Sequence, residues 1–150
     1  ERLWRALRRA GASEAAGAGL DALGAGEATP TTVSFGGARL TGTLDHVAAG
    51  ASRPARIARY KHGKLDAQLG LRDLFYALAA EEMAQRGQAA EVTRVSLANG
   101  EVKPLAIAGQ RQRLEQEASA ALAGLAREDY TPRPAPRICA TCPFALICPA

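Results

Sequence analysis

Three segments decide how this chain is read: Gly42-Thr43-Leu44-Asp45-His46-Val47, Ile57-Ala58-Arg59-Tyr60-Lys61-His62-Gly63-Lys64 and Arg72-Asp73-Leu74-Phe75-Tyr76. In the first, Leu40, Gly42, Leu44 and His46 alternate with Thr41, Thr43, Asp45 and Val47, the period-two pattern of a strand. That alternation places Asp45 on the face opposite Leu44, near the strand's end. The second segment reads as another strand, over Arg56 to Lys61, running into a glycine turn. The third lies on the clearest helix of the chain, expected over Leu65 to Arg86. Its apolar stripe is Leu71, Leu74, Phe75 and Leu78, with Gly87 as its stop.

Working outward, Thr32 to Phe35 and Arg39 to Val47 flank Gly36-Gly37 and form a hairpin. Gly50 to Pro54 is a loop. Val92 to Leu97 and Glu101 to Ile107 flank Asn99-Gly100, a strong short-range hairpin signal. Gln110 to Arg127 is helical, with Leu114, Ala118, Leu122 and Leu125 facing inward. Upstream, Leu3, Trp4 and Leu7 mark a short amphipathic helix over Glu1 to Ala10. A weaker helix covers Ser13 to Leu23, and Gly24, Gly26 and Pro30 mark a turn region. From Tyr130 on, Pro132, Pro134 and Pro136 keep the tail extended. The order predicts an α/β fold with a central mixed sheet flanked by helices. One domain fills 1–150, with a helical lead-in at 1–30, a core at 31–128 and a cysteine-bearing tail at 129–150.

The 150 residues and their 47% hydrophobic content suit one such domain. No run approaches the roughly 18 apolar residues of a membrane span, and no signal peptide opens the chain. The expectation is a soluble cytoplasmic protein, or a piece of a larger one, with no membrane partner. A net charge of +4 is mild, but its distribution is uneven. Arg53, Arg56, Arg59, Lys61 and Lys64 fall within residues 46–65, which hold no acid. Such a segment reads as a surface that meets phosphates, or else as a solvated basic loop. Cys139, Cys142 and Cys148 crowd into the last twelve residues, a pattern that favours metal or cluster ligation over disulfides.

The three segments together resemble the RecB-like branch of the PD-(D/E)XK nuclease superfamily. Relatives read approximately G-x-x-D-R-V, then hydrophobic-x-D-Y-K-T-G-K, then Q-x-x-x-Y followed by Ala-Leu-Ala. Here the chain has GTLDHV, IARYKHGK and RDLFYALA, so the likeness covers residues 33–80. It implies a restriction-endonuclease-like core in which two acids hold Mg²⁺ between adjacent strands and a lysine aligns the attacking water. Asp45 matches the first acid, Lys61 the lysine and Tyr76 the helix tyrosine. Arg59 stands at the second acid, Arg72 at the glutamine, His46 at an arginine and His62 at a threonine. No upstream histidine or glutamate of the family is evident near Trp4 and Leu7. A guanidinium about 4 Å from a divalent ion, at an effective dielectric near 20, opposes it by about 8 kcal/mol. Arg59 is accordingly expected to pair with Asp45 and to close the site to Mg²⁺, unless a displaced acid, Asp66 or Asp73, restores it.

The tail, Cys139-Ala-Thr-Cys142-Pro-Phe-Ala-Leu-Ile-Cys148, resembles the end of iron–sulfur nucleases of the same branch. There a fourth, upstream cysteine completes a 4Fe–4S cluster. That ligand is not within these residues, so the chain is part of a longer protein, or the cluster is incomplete or differently completed. A zinc site of three cysteines and a histidine is the alternative. The resemblance implies a DNA-binding domain of a repair or recombination helicase–nuclease, inactive at the metal site. Arg53, Arg56, Arg59, Lys61, Lys64 and Arg72 would meet the backbone, and Tyr60 or Tyr76 would pack inward or stack on a base. An active metal-dependent exonuclease with a displaced acid, and a scaffold docking to a helicase subunit, are the competing readings.

Overall fold

A computed structural model describes residues 24–48 and 54–129. The lead-in helices expected before residue 24, Arg53 and the tail with its three cysteines lie outside the described residues. Strand β1 spans Glu27–Phe35, β2 Ala38–Ala48 and β3 Ala55–Lys61. Helix α1 spans Leu71–Gln85, then come β4 over Ala90–Ser96, β5 over Val102–Pro104, a short 3-10 turn over Ala108–Gln110 and helix α2 over Arg111–Ala126. The strands lie in chain order in one mixed sheet. β1–β2, β2–β3 and β4–β5 are antiparallel, and β3–β4 is parallel with α1 as its crossover. This is the α/β architecture the sequence implies.

Local chemistry explains each boundary. Gly36 and Gly37 both have positive φ, 56° and 77°, which a two-residue hairpin turn of the twist-matched kind requires. Gly100, also at positive φ, closes the β4–β5 turn, where the Glu101 N–H donates to Asn99 Oδ1 at 3.2 Å. β1 begins five residues earlier than the sequence indicates and includes Pro30, which an edge strand tolerates because its missing N–H faces no partner. β5 stops at Pro104 rather than Ile107. After it Leu105 and Ile107 turn inward against the core.

Helix α1 starts six residues later than its apolar pattern implies. Leu65 and Leu69 are spaced like helix residues, yet each enters the core from a loop. The helix begins after Gly70, whose N–H donates to Asp73 Oδ2 at 2.9 Å, so Asp73 caps the first turn and complements its dipole. Leu74 and Leu78 are buried as expected, but Leu71 is 43% exposed, and the buried face widens to Tyr76, Ala77 and Ala79. On α2, Leu114 and Ala118 are buried, whereas Leu125 is 56% exposed because the last turn runs past the core. The main core joins Val33, Leu44 and Ile57 of the sheet to Leu74, Tyr76, Leu78, Leu114 and Ala118. Ala58, Val95 and Tyr60 form a separate cluster. No helix among the described residues is long and apolar enough to cross a membrane.

Candidate functional site

The site begins with an irregularity in β2. Glu27 pairs with Val47 but Thr29 pairs with Leu44, so Asp45 and His46 together oppose the single residue Ala28. A bulge of this kind breaks the period-two alternation and re-aims a side chain. Leu44 and Val47, three residues apart, consequently both pack on the main core. Asp45 turns toward α1 instead of away from Leu44's side. Its N–H donates to the Tyr76 hydroxyl at 2.7 Å, and its Oδ1 accepts from Arg72 Nη2 at 2.5 Å. The β2–β3 ladder ends at His46 and Ala58. Beyond it the Tyr60 N–H donates to Asp45 Oδ2 at 2.9 Å.

The expected Arg59–Asp45 pair does not form. Arg59 projects from the same face of β3 as Ile57 and bonds Asp73 Oδ1, while Asp45 is taken by Arg72. One step past the ladder's end the register would set Arg59 opposite Asp45, but there the Asp45 carboxylate bonds β3's backbone instead. The two pairs differ in setting. The Arg59 and Asp73 side chains are 19% and 4% exposed, those of Arg72 and Asp45 54% and 20%. Lys61 bonds the exposed Asp66, whose carboxyl this contact holds below its usual range. Both tyrosines pack inward. Tyr76 is fully buried, and Tyr60 packs on Ala58 and Val95 with its ring edge-on to His46 at 6.2 Å. Burial first, and the nearby Asp45 charge second, push the hydroxyls of both up to about 12. Burial also lowers the His46 pKa, favouring its neutral ring.

A cleft of about 750 Å³ opens beside these groups, lined by Arg59, Lys61, Asp66, Asp73, Arg94 and Arg113 among others. It unites two of the basic residues singled out from the sequence, Arg59 and Lys61, with two that sequence reasoning missed. Arg94 is Arg59's register partner on β4, and Arg113 comes from the first turn of α2. The alternation Val92–Arg94 matches Ile57–Arg59, but only the parallel register reveals the pairing. Asp45, Arg72 and Tyr76 form a neighbouring group, joined to the cleft through Asp73, which follows Arg72 on α1. Lys64 and His62 are exposed on the loop after β3, and Arg56 sits beside Glu91 in register, alternating with Ile57 and so not on the cleft's face.

The loop between β3 and α1 forms the cleft's wall, and side chains from other elements secure its backbone. Arg94 Nη1 donates to the Asp66 carbonyl at 2.8 Å, Gln110 Nε2 to the Ala67 carbonyl at 2.8 Å, and Arg113 Nη2 to the Leu69 carbonyl at 2.7 Å. The Leu69 N–H in turn donates to Gln110 Oε1 at 3.0 Å.

Whether these residues suit a divalent cation can be judged from their oxygens. Both Asp45 oxygens are engaged, by Arg72 and by the Tyr60 amide, and both Asp73 oxygens, by Arg59 and by the Gly70 amide. Among the described residues no three of His, Cys, Asp and Glu gather closely enough to hold a metal. The donor set around Asp45 is cationic, which does not fit Mg²⁺.

Comparison with curated proteins and with solved structures gave no match. A family model described as the PD-(D/E)XK nuclease superfamily matches residues 1–149, nearly the whole chain. The mixed sheet and its parallel β3–β4 crossover agree with that match, and the chain belongs to the PD-(D/E)XK nuclease superfamily.

Proposed function

We propose that this chain is a RecB-like member of the superfamily that binds DNA through its phosphates and does not cut it. The observation that carries the reading is the pair of ion pairs, Arg59–Asp73 and Arg72–Asp45, that commit the site's two inward carboxylates to guanidinium groups. A fixed cation in that slot supplies positive charge without supplying an activated water. The displaced acids that would rescue metal binding are themselves engaged, Asp73 by Arg59 and Asp66 by Lys61. Arg59, Lys61, Lys64 and Arg72, with Arg53 and Arg56 nearby in sequence, then serve as backbone contacts that position a strand without reading its bases. Cys139, Cys142 and Cys148 hold a 4Fe–4S cluster that ties the tail to the domain, with the fourth ligand supplied from elsewhere, and a helicase or other repair subunit is the working partner. These last points rest on the sequence resemblance alone.

The test is a cleavage and binding assay on one preparation. With Mg²⁺ or Mn²⁺, labelled single- and double-stranded DNA is expected to stay intact while its affinity falls steeply as salt rises. Arg59→Asp should weaken binding further. Cleavage abolished by Asp45→Asn would instead establish an active enzyme, and salt-independent or absent DNA binding would leave only the scaffold reading. Iron and sulfide analysis decides the cluster separately, since a colourless protein with one zinc ends that proposal.

A further inference from the structure

A strand at the edge of a sheet presents its outer N–H and C=O groups to any other extended chain. Here the two edges are β1 and β5. β5 is three residues long and ends at Pro104, too short to guide another strand. β1 is nine residues long and is the edge at risk. Phe35 and Ala38 flank a two-residue turn and exchange hydrogen bonds, so the alternation points the backbone of Val33 and Thr31 at β2. Ser34, Thr32 and Pro30 therefore face their backbone groups outward. Pro30 has no N–H to offer. The Ser34 N–H is met by α1, donating to Glu82 Oε1 at 2.6 Å. Of the three, only Thr32 keeps an outward N–H that no described group takes.

We propose that Glu82 stands in for a neighbouring strand: its carboxylate fills the acceptor position that another chain's carbonyl would take on β1, and with Pro30 it closes this edge to a second copy of the chain. Glu82 lies in the last turn of α1 with its side chain 22% exposed, and its other oxygen accepts from Arg86 Nη2 at 3.1 Å. Both carboxylate oxygens are thus held, one by the helix's own end and one by β1. A bond from an N–H to a carboxylate is stronger than one to a carbonyl, so an incoming strand would exchange a charge-assisted bond for a neutral one. An added strand also needs successive outward donors, and here two of three positions lack one. A second copy is the occupant excluded, because one edge pairs with its own twofold image and needs no other exposed strand. A partner subunit that completes the sheet by adding a strand likewise finds no place at β1, whether or not the chain binds DNA.

Amide hydrogen exchange on the unaltered full chain is the first test. Ser34 is exposed and Thr32 half-buried, so exposure alone would make the Ser34 amide the faster of the two. With Glu82 in place it should instead exchange about tenfold more slowly than Thr32, after correction for intrinsic rates. Glu82→Ala should erase that protection, and Glu82→Gln, which keeps an acceptor oxygen without the charge, should retain part of it. Sedimentation then reads the edge itself. Glu82→Ala combined with Pro30→Val leaves three outward N–H groups in a row and should self-associate at concentrations where the wild type and Glu82→Gln do not. Adding Thr32→Pro should return the chain to the wild-type state, which association through unfolded chains would not do. A Ser34 amide that exchanges as fast as Thr32 in the wild type overturns the proposal, and this readout needs no variant to fold. A folded double variant that sediments like the wild type, or an association that survives Thr32→Pro, overturns it as well.

Discussion

The exchange of partners between the two arginine–aspartate pairs can be measured by double-mutant cycles. Removing one partner of a buried pair strands a charge and costs about 3–5 kcal/mol. Arg59 retains 19% side-chain exposure, so water relieves part of that penalty, and a coupling of about 2–4 kcal/mol is expected for Arg59 with Asp73. Arg72 is 54% exposed, which holds its coupling to Asp45 to about 0.5–1 kcal/mol. The cycles compare Arg59→Met, Asp73→Ala and their double variant, then Arg72→Met with Asp45→Ala, and finally Arg59→Met with Asp45→Ala. Asp73→Ala also removes the cap to the Gly70 amide, but that loss occurs with and without Arg59 and cancels in the cycle. Urea unfolding gives each free energy. A loss of about 2–4 kcal/mol should show the Asp73→Ala chain melting about 4–16 °C lower in thermal unfolding, at about 2–4 °C per kcal/mol for this length. A third cycle with coupling as large as the first would place Arg59 on Asp45 after all and refute the assignment.

Tyr76→Phe removes the hydroxyl that accepts the Asp45 amide at 2.7 Å. It should lower stability by about 1–3 kcal/mol in urea unfolding, and an unchanged midpoint would mean that this bond carries no weight. Phenolate absorbance should show Tyr60 and Tyr76 resisting ionisation near the usual pH 10, because their folded values stand at about 12. A raised acid favours the folded state below its unfolded value and loses that advantage above it, so stability should decline from pH 10 towards 12. All three tyrosines of the chain titrating together near pH 10 in the folded protein would contradict this.

Much of the framework is legible in the residues because it is written locally. Gly36-Gly37 and Asn99-Gly100 announce hairpins through backbone freedom, and the alternation of Leu40, Gly42 and Leu44 gives the inward face of β2. The failures have non-local causes. Leu65 and Leu69 imitate a helical stripe because a loop that must anchor itself in the core uses the same apolar residues. Nothing in Leu44-Asp45-His46-Val47 signals a bulge, since the extra residue is defined by β1's register rather than by β2's composition. The exchange of ion-pair partners follows from that bulge. Arg94 and Arg113 escape notice for a related reason, lying 35 and 54 positions beyond Arg59 in sequence and meeting it only once the crossover and α2 are in place.

The grip of Gln110 and Arg113 on the β3–α1 loop bears on where this chain can be cut. Those two side chains hold the carbonyls of Ala67 and Leu69, and Gln110 also accepts the Leu69 amide. Deleting the stretch from Gln110 onward therefore would not trim a peripheral helix. It would release the cleft's wall some forty residues upstream, and the Leu69 amide, which in the intact protein exchanges with solvent only when Gln110 lets go, would exchange without that protection.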